Sequence, residues 1–296
     1  MDILITGGTG FIGSALKDSL LEQGHSLVIL SRQAKPGIRN CRYIEQLDEL
    51  ADDAAVDAII NLAGASLAGR RWTTSYKEEI VASRIGTTRA LVQLCGRLQR
   101  PPKVLLSASA IGYYGPRDSN KIDEKEPTGH CFSSILCEKW EAEASAAQGL
   151  GVRVCYLRFG VVLDREGGAM TEMARPFRFG LANWIGSGEQ WLSWIHRTDA
   201  VAAIEWLLQH PDASGAFNVT APEPVTSKGF CAAMKRKTHT FLTLPMPATA
   251  MRLLVGEMAD ELLITGQGVV PARLQEAGFT FRYATIDAAL DDIVAG

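Results

Sequence analysis

The stretch ILITGGTGFIG, residues 3–13, runs an apolar strand directly into a glycine-rich turn that opens a helix. Glycines 7, 10 and 13 give the spacing G-x-x-G-x-x-G. Gly7 would permit the tight turn, Gly10 would let backbone approach a pyrophosphate, and Gly13 would let helix and strand pack closely. The helix that starts with Phe11 and Ile12 then turns its free N–H groups towards the phosphates. An ordinary tight turn is the alternative, but the strand-turn-helix setting at the start of the chain favours a dinucleotide. A P-loop is excluded, because no Gly-Lys-Ser/Thr follows.

Further strand-like runs alternate with helical patterns: SLVIL (26–30), AIINLAG (58–64), KVLLSAS (103–109) and VRVCYLRFG (152–160). Near-continuous apolar strands with helices between them indicate a parallel sheet covered on both faces. The right-handed crossover rule then leaves an α/β, Rossmann-type doubly wound sheet. After about residue 165 Gly and Pro become frequent, and aromatics gather in GLANWIGSGEQWLSWIH (180–196). We expect a first lobe over 1–165 and a smaller α/β substrate lobe over 166–296. In the second, a helix capped by Thr198 or Asp199 is expected, then a helix over PARLQEAG (271–278), a strand over FTFRY and a closing helix over TIDAALDDIVA.

Composition narrows the function classes. Apolar residues make up 47% and charged residues 21%, which suits a globular chain rather than a disordered one. The net charge of −3 gives no reason to expect nucleic acid, and Lys235-Arg236-Lys237 reads as a solvated helix face. No apolar stretch is long enough to cross a bilayer, and no secretory pattern opens the chain, so no membrane partner and a cytoplasmic location are expected. The six cysteines lie at 41, 95, 131, 137, 155 and 231, without C-x-x-C or Cys/His spacing. Reduced, mostly buried thiols and no metal follow from that.

The second strand ends in Leu30-Ser31-Arg32, where an NAD-selective protein would place an acid for the ribose 2′-hydroxyl. A guanidinium there can pair instead with the 2′-phosphate of NADP, helped by the Ser31 hydroxyl. A plain solvent-exposed arginine is the alternative. The absence of an acid favours NADP.

With TGGTGFIG, NLAG (61–64), SASAIGYYG (107–115) and LRFGVVL (157–163) in order, the chain resembles the extended short-chain dehydrogenase/reductases. RRW (70–72), ASRIGTT, KWE (139–141), GGAM (167–170), GSGEQWLSWIHRTD (186–199) and PARLQEAGFTFRY sharpen this to the NAD(P)-dependent "epimerase family" proteins with their own C-terminal segment. The resemblance implies that Leu62 and Ala63 lie against the cofactor, that Glu79 and Arg84 reach it from the next helix, and that Arg158 reaches it from a strand end. A charge pair on a solvated face is the other reading of Glu79 and Arg84. The resemblance also implies a small-molecule substrate, with a nucleotide-sugar as the fold-level suggestion, and a lobe-anchoring role for His196.

One part of the family pattern is missing. Tyr-x-x-x-Lys is expected four residues ahead of a helical Glu, and counting back from Glu141 puts Cys137 in the Lys slot and Ser133 in the Tyr slot. In the intact pattern the ammonium draws the tyrosine pKa down from about 10, which permits acid–base work. Ser109 aligns with the hydroxyl that bonds a substrate carbonyl, although a turn-capping hydroxyl is the other reading. Tyr113 and Tyr114 could bring a phenol to the pocket, or serve as wall aromatics. Lys139 is about 200° round the helix from Cys137. Cys137 reads as a buried structural thiol. Two functions remain: an oxidoreductase or epimerase-like enzyme with a nonstandard proton donor, or an NADP(H)-binding sensor or scaffold without turnover.

Overall fold

The computed structural model describes residues 1–117 and 120–295. Its centre is a sheet of seven parallel strands: β1 (Asp2–Thr6), β2 (Ser26–Leu30), β3 (Cys41–Ile44), β4 (Ala58–Asn61), β5 (Val104–Ala110), β6 (Arg153–Phe159) and β10 (Gly215–Val219). Their order across the sheet is β10-β6-β5-β4-β1-β2-β3. The chain starts in the middle, winds to one edge and crosses back, which is the doubly wound topology the sequence pattern implied. Ile3, Ile5, Leu27, Ile29, Ile60 and Leu106 form one packed face, and Leu4, Ile59, Leu105 and Val154 the other. Burial on both faces explains why these strands read as continuous apolar runs.

Helices α1 (Phe11–Glu22), α2 (Thr74–Val81), α3 (Thr87–Arg97) and α4 (Phe132–Ser145) cover the sheet. Between α2 and α3 the helix widens to a π-helical turn at Ala82–Gly86. Two strands of this sheet lack a clear pattern in the sequence. Cys41–Ile44 is short and carries Arg42 and a half-buried Tyr43 on an outer strand, so its alternation is weak. Gly215–Val219 opens on a glycine at φ 80° and is completed by pairing with β6.

The rest of the chain forms β7 (Val161–Asp164), β8 (Leu181–Ile185), β9 (Trp194–His196) and β11 (Leu242–Met246), with α5 (Ala169–Arg178), α6 (Arg197–Gln209), α7 (Ser227–Lys237), α8 (Ala248–Val255) and α9 (Ile286–Ala295). A further core cluster gathers Met170, Phe177, Trp194, Phe230, Met234 and Leu290. Beyond residue 165, α6 and β10 still pack into the cluster of the central sheet through Ile204, Leu207, Phe217 and Val219.

Two local expectations need correction. Helix α6 is capped neither by Thr198 nor by Asp199: the His196 ring nitrogen accepts from Thr198 N. Asp199 is buried and accepts from the backbone N–H groups of Arg282 and Tyr283, at 2.8 and 2.9 Å. That bond explains why FTFRY is not a strand. Two of its amides are held by a side-chain carboxylate rather than by a neighbouring strand. As expected, the basic run at 235–237 lies on a largely exposed helix end, where Arg236 pairs with Asp287 and Lys237 with Asp291 of α9.

Candidate active site

The glycine turn lies against the end of β4. Gly7 takes φ 70°, and a Cβ there would come within 2.6 Å of the Leu62 carbonyl carbon and oxygen. A Cβ on Gly13 would lie 2.1 Å from the Gly7 carbonyl oxygen, so helix and turn meet backbone to backbone. No side chain caps α1, and its first turn carries no acid. Its N-terminus is therefore left to an outside anion, as a bound pyrophosphate requires. The residues of this cradle fit a dinucleotide.

Leu62 and Ala63 are the contact partners of Gly7, and the Ala63 amide donates to the Thr6 hydroxyl at 3.2 Å. Behind them a buried polar chain joins five elements. Thr6 donates to Asn61, Asn61 donates to Thr88 and Ser107, and the Trp140 indole donates to Thr88. Such a chain fixes the strand ends that form the crevice. The Phe11 ring lies against Gly168 and 5.1 Å from the Arg197 guanidinium. Ile12 packs on the main core.

At the end of β2, Arg32 is exposed and has no carboxylate partner among the described residues. The segment from Ser31 to Arg42 holds Arg32, Lys35, Arg39 and Arg42 and no acid. Ser31 differs from expectation. Its hydroxyl donates to the Gln33 carbonyl and accepts from the Gln33 amide, so its proton is committed to a local turn.

Glu79 and Arg84 are not a pair. Exposed Glu79 meets Arg70 at 3.4 Å, whereas Arg84 is 9% exposed in the π-helical turn. The Arg84 guanidinium donates to the carbonyls of Ile80 and Ala65, touches Gly64 and lies 5.3 Å over the Trp140 ring. It has no carboxylate partner among the described residues, and burial lowers its pKa. A buried cation without a counter-ion is costly, so Arg84 marks a place where negative charge is welcome.

The expected catalytic group forms a sealed network. Ser109 donates to Glu141 at 2.7 Å. Arg158 grips the same carboxylate with two nitrogens at 2.8 Å and donates through the third to the Tyr114 hydroxyl at 2.9 Å. Tyr114 in turn donates to Asn218 at 2.6 Å. Burial opposes the Arg158 charge, but the Glu141 carboxylate outweighs it and raises the guanidinium pKa. Arg158 therefore directs its donors inward, not at a nucleotide. Tyr114 is fully buried, and burial pushes its phenol up to about 12, so it cannot exchange a proton near neutrality. Tyr113 packs edge-on against Tyr114 with Arg158 3.5 Å over its ring. Its hydroxyl is unbonded among the described residues, which leaves it the more open of the two phenols.

Ser133, Cys137 and Glu141 share one face of α4, spaced i, i+4, i+8. That face meets the turn after β5, where a Cβ on Gly112 would lie 3.1 Å from the Ser133 Cβ and 3.9 Å from the Cys137 sulfur. Burial, followed by the nearby Glu141 charge, pushes the Cys137 thiol up to about 12, so it is not a nucleophile. Lys139 points to solvent, as its helical angle implied. Glu141 served the sequence reading only as a marker of register, and Glu261, which bonds Ser133, gave no sequence signal because it lies 128 residues away. All six cysteines are free thiols, and the described residues hold no cluster that could bind a metal ion.

Residues 3–220 match the NAD dependent epimerase/dehydratase family, and residues 246–293 match a domain of unknown function, DUF1731. The chain belongs to the NAD dependent epimerase/dehydratase family. It is 38% identical to epimerase family protein YfhF of Bacillus subtilis over 100% of this chain and 98% of the relative. It is equally close to epimerase family protein SAR0825 of Staphylococcus aureus, over 99% and 98%. Among solved structures, human epimerase family protein SDR39U1 with NADPH superposes at a TM-score of 0.90, with 33% identity over 100% of both chains. A nucleoside-diphosphate sugar epimerase of Corynebacterium glutamicum superposes at 0.78, with 28% identity over 99% of this chain and 58% of that one. The likeness to epimerase family proteins thus runs over the whole chain, with a C-terminal segment of its own over residues 246–293. Among the described residues no helix is long and apolar enough to cross a membrane.

Proposed function

We propose that this protein binds NADP(H) at the glycine turn and acts as an oxidoreductase or epimerase-like enzyme on a small molecule. The observation that carries the reading is the uncapped start of α1 against Leu62 and Ala63, with unpaired Arg32 at the neighbouring strand end. A pyrophosphate would lie on the α1 N-terminus, the 2′-phosphate on Arg32, and the nicotinamide end in the crevice lined by Gly64, Arg84 and the α4 face. When bound, the cofactor supplies a hydride acceptor or donor. The NADPH of the human relative supports this choice of cofactor.

The substrate class follows the nucleoside-diphosphate sugar epimerase relative, so a nucleotide-sugar hydroxyl or carbonyl is the first candidate. Division into a cofactor lobe and a smaller substrate lobe near residue 165 belongs to the same proposal, with α6 and β10 returning to the first lobe.

Arg32→Glu tests the cofactor assignment. We expect it to weaken NADPH binding by about 1.5–3 kcal/mol, the range for hydrogen bonds to a charged group, while NADH binding changes little. Equal loss for both nucleotides would count against Arg32.

A second reading, a nicotinamide-binding sensor without turnover, is favoured by the sealed state of Ser109, Tyr114 and Cys137. Turnover of any carbonyl or nucleotide-sugar by the wild-type protein would remove it.

A further inference from the structure

The C-terminal segment reaches into the slot left by the missing tyrosine. Glu261, in the π-helical segment Asp260–Ile264, accepts from the amides of Phe132 and Ser133 at 3.0 and 2.9 Å. It also accepts from the Ser133 hydroxyl. Several contacts hold this segment across α2 and α4. Lys77 pairs with Glu257, Arg71 donates to the Leu253 carbonyl, and Met258 packs among Trp72, Tyr76, Ile80 and Leu136.

Glu261 differs from the acids beside it. Glu257 is paired with Lys77 and Asp260 with Arg252, whereas Glu261 has no cationic partner among the described residues. It is half-buried, so a proton placed on it has a path to solvent. The Glu261 carboxylate accepts from two backbone amides and one hydroxyl, and it has no counter-ion among the described residues. In Glu141, by contrast, Arg158 fills both oxygens.

We propose that Ser133 and Glu261 form the proton relay of this protein, with the C-terminal segment supplying the base; this rests on the nicotinamide-binding reading above. In the oxidation direction a substrate alcohol gives its carbinol hydride to the oxidised nicotinamide. The alcohol proton passes to the Ser133 oxygen as the Ser133 proton passes to Glu261, and the carbon–oxygen bond becomes a carbonyl. Glu261 then releases the proton to solvent. Ser133 is the group that meets substrate, and Glu261 acts through it.

On the proposed placement a nicotinamide in this crevice would lie near this carboxylate, and its ring is positive only when oxidised. It therefore favours NADP+ over NADPH, and this can be read without a substrate. Kd is measured for both forms at fixed pH and salt on the full-length wild-type protein, Glu261→Gln and Ser133→Ala, with Tm recorded for each. We expect Glu261→Gln to weaken NADP+ roughly fivefold or more, by loss of one charge at short range, with NADPH changed less than about twofold. Ser133→Ala keeps the charge and should keep the wild-type ratio, whatever happens to Tm. Equal weakening of both forms by Glu261→Gln would show a latch only and overturn the relay, as would no change in either. Binding of neither form by the wild-type protein is a different result: it overturns the cofactor reading itself and the relay with it.

Discussion

The two ends of the inner face of α4 carry the same chemical pair, a serine hydroxyl donating to a glutamate, in opposite surroundings. At Ser109 and Glu141 both groups are enclosed, Arg158 neutralises the carboxylate, and Tyr114 and Asn218 satisfy the remaining donors. At Ser133 and Glu261 the carboxylate comes from a distant segment, meets two backbone amides and has no cation among the described residues. A fully satisfied buried network rigidifies a strand end, whereas at the other end a carboxylate without a counter-ion among the described residues holds the start of α4.

The comparison breaks most visibly at the sealed end. Glu141→Gln leaves the Arg158 guanidinium buried opposite a neutral amide, and removal of one partner of such a pair costs about 3–5 kcal/mol. Chemical denaturation should show that loss. A change below about 1 kcal/mol would mean water reaches Arg158 and the site is not sealed.

At the open end the same kind of deletion should be mild. Ser133→Ala removes one hydrogen bond to Glu261 while the two amide bonds persist, so about 1 kcal/mol is expected. If this substitution costs as much as Glu141→Gln, the two ends are alike and the distinction drawn between them fails.

The smallest effect concerns His196, buried on the Tyr283 ring with ring centroids 4.0 Å apart. Burial lowers its pKa below the usual value, despite Asp164, Asp292 and Asp199 nearby. A histidine held neutral in the fold contributes stability that is present above its unfolded pKa of about 6.5 and is lost as pH falls below it. Asp292, whose pKa is lowered first by the Tyr283 hydroxyl, acts in the same direction at lower pH. Tm should therefore fall between pH 7 and pH 5, and fall less in His196→Asn. An equal fall in both would assign the acid loss to other groups.

Much of this was legible in the sequence because it is local. The glycine turn, five strands of the sheet and the i, i+4, i+8 face of α4 depend on spacing within a few residues, and the structure shows each of them. What the sequence could not show depends on partners far along the chain. Arg158 was expected at a strand end, but its inward turn depends on Glu141, Tyr114 and the Asn218 behind it. FTFRY alternates as a strand does, yet Asp199, 83 residues from Arg282, takes the amides a neighbouring strand would use. The Ser133 side chain was visible as a gap in the pattern, while Glu261 that fills the gap had no local signal. Ser31 failed for a nearer reason, since a hydroxyl two residues before an amide readily turns back on its own chain.

The measurement that bears most directly on the whole account is a titration of the nucleotide-free wild-type protein with NADPH and, separately, NADH, following nicotinamide fluorescence. The account predicts saturable binding of NADPH at clearly lower concentration than NADH. Binding of neither nucleotide would contradict it, leaving the glycine turn, Arg32 and the α4 crevice as a scaffold without a cofactor.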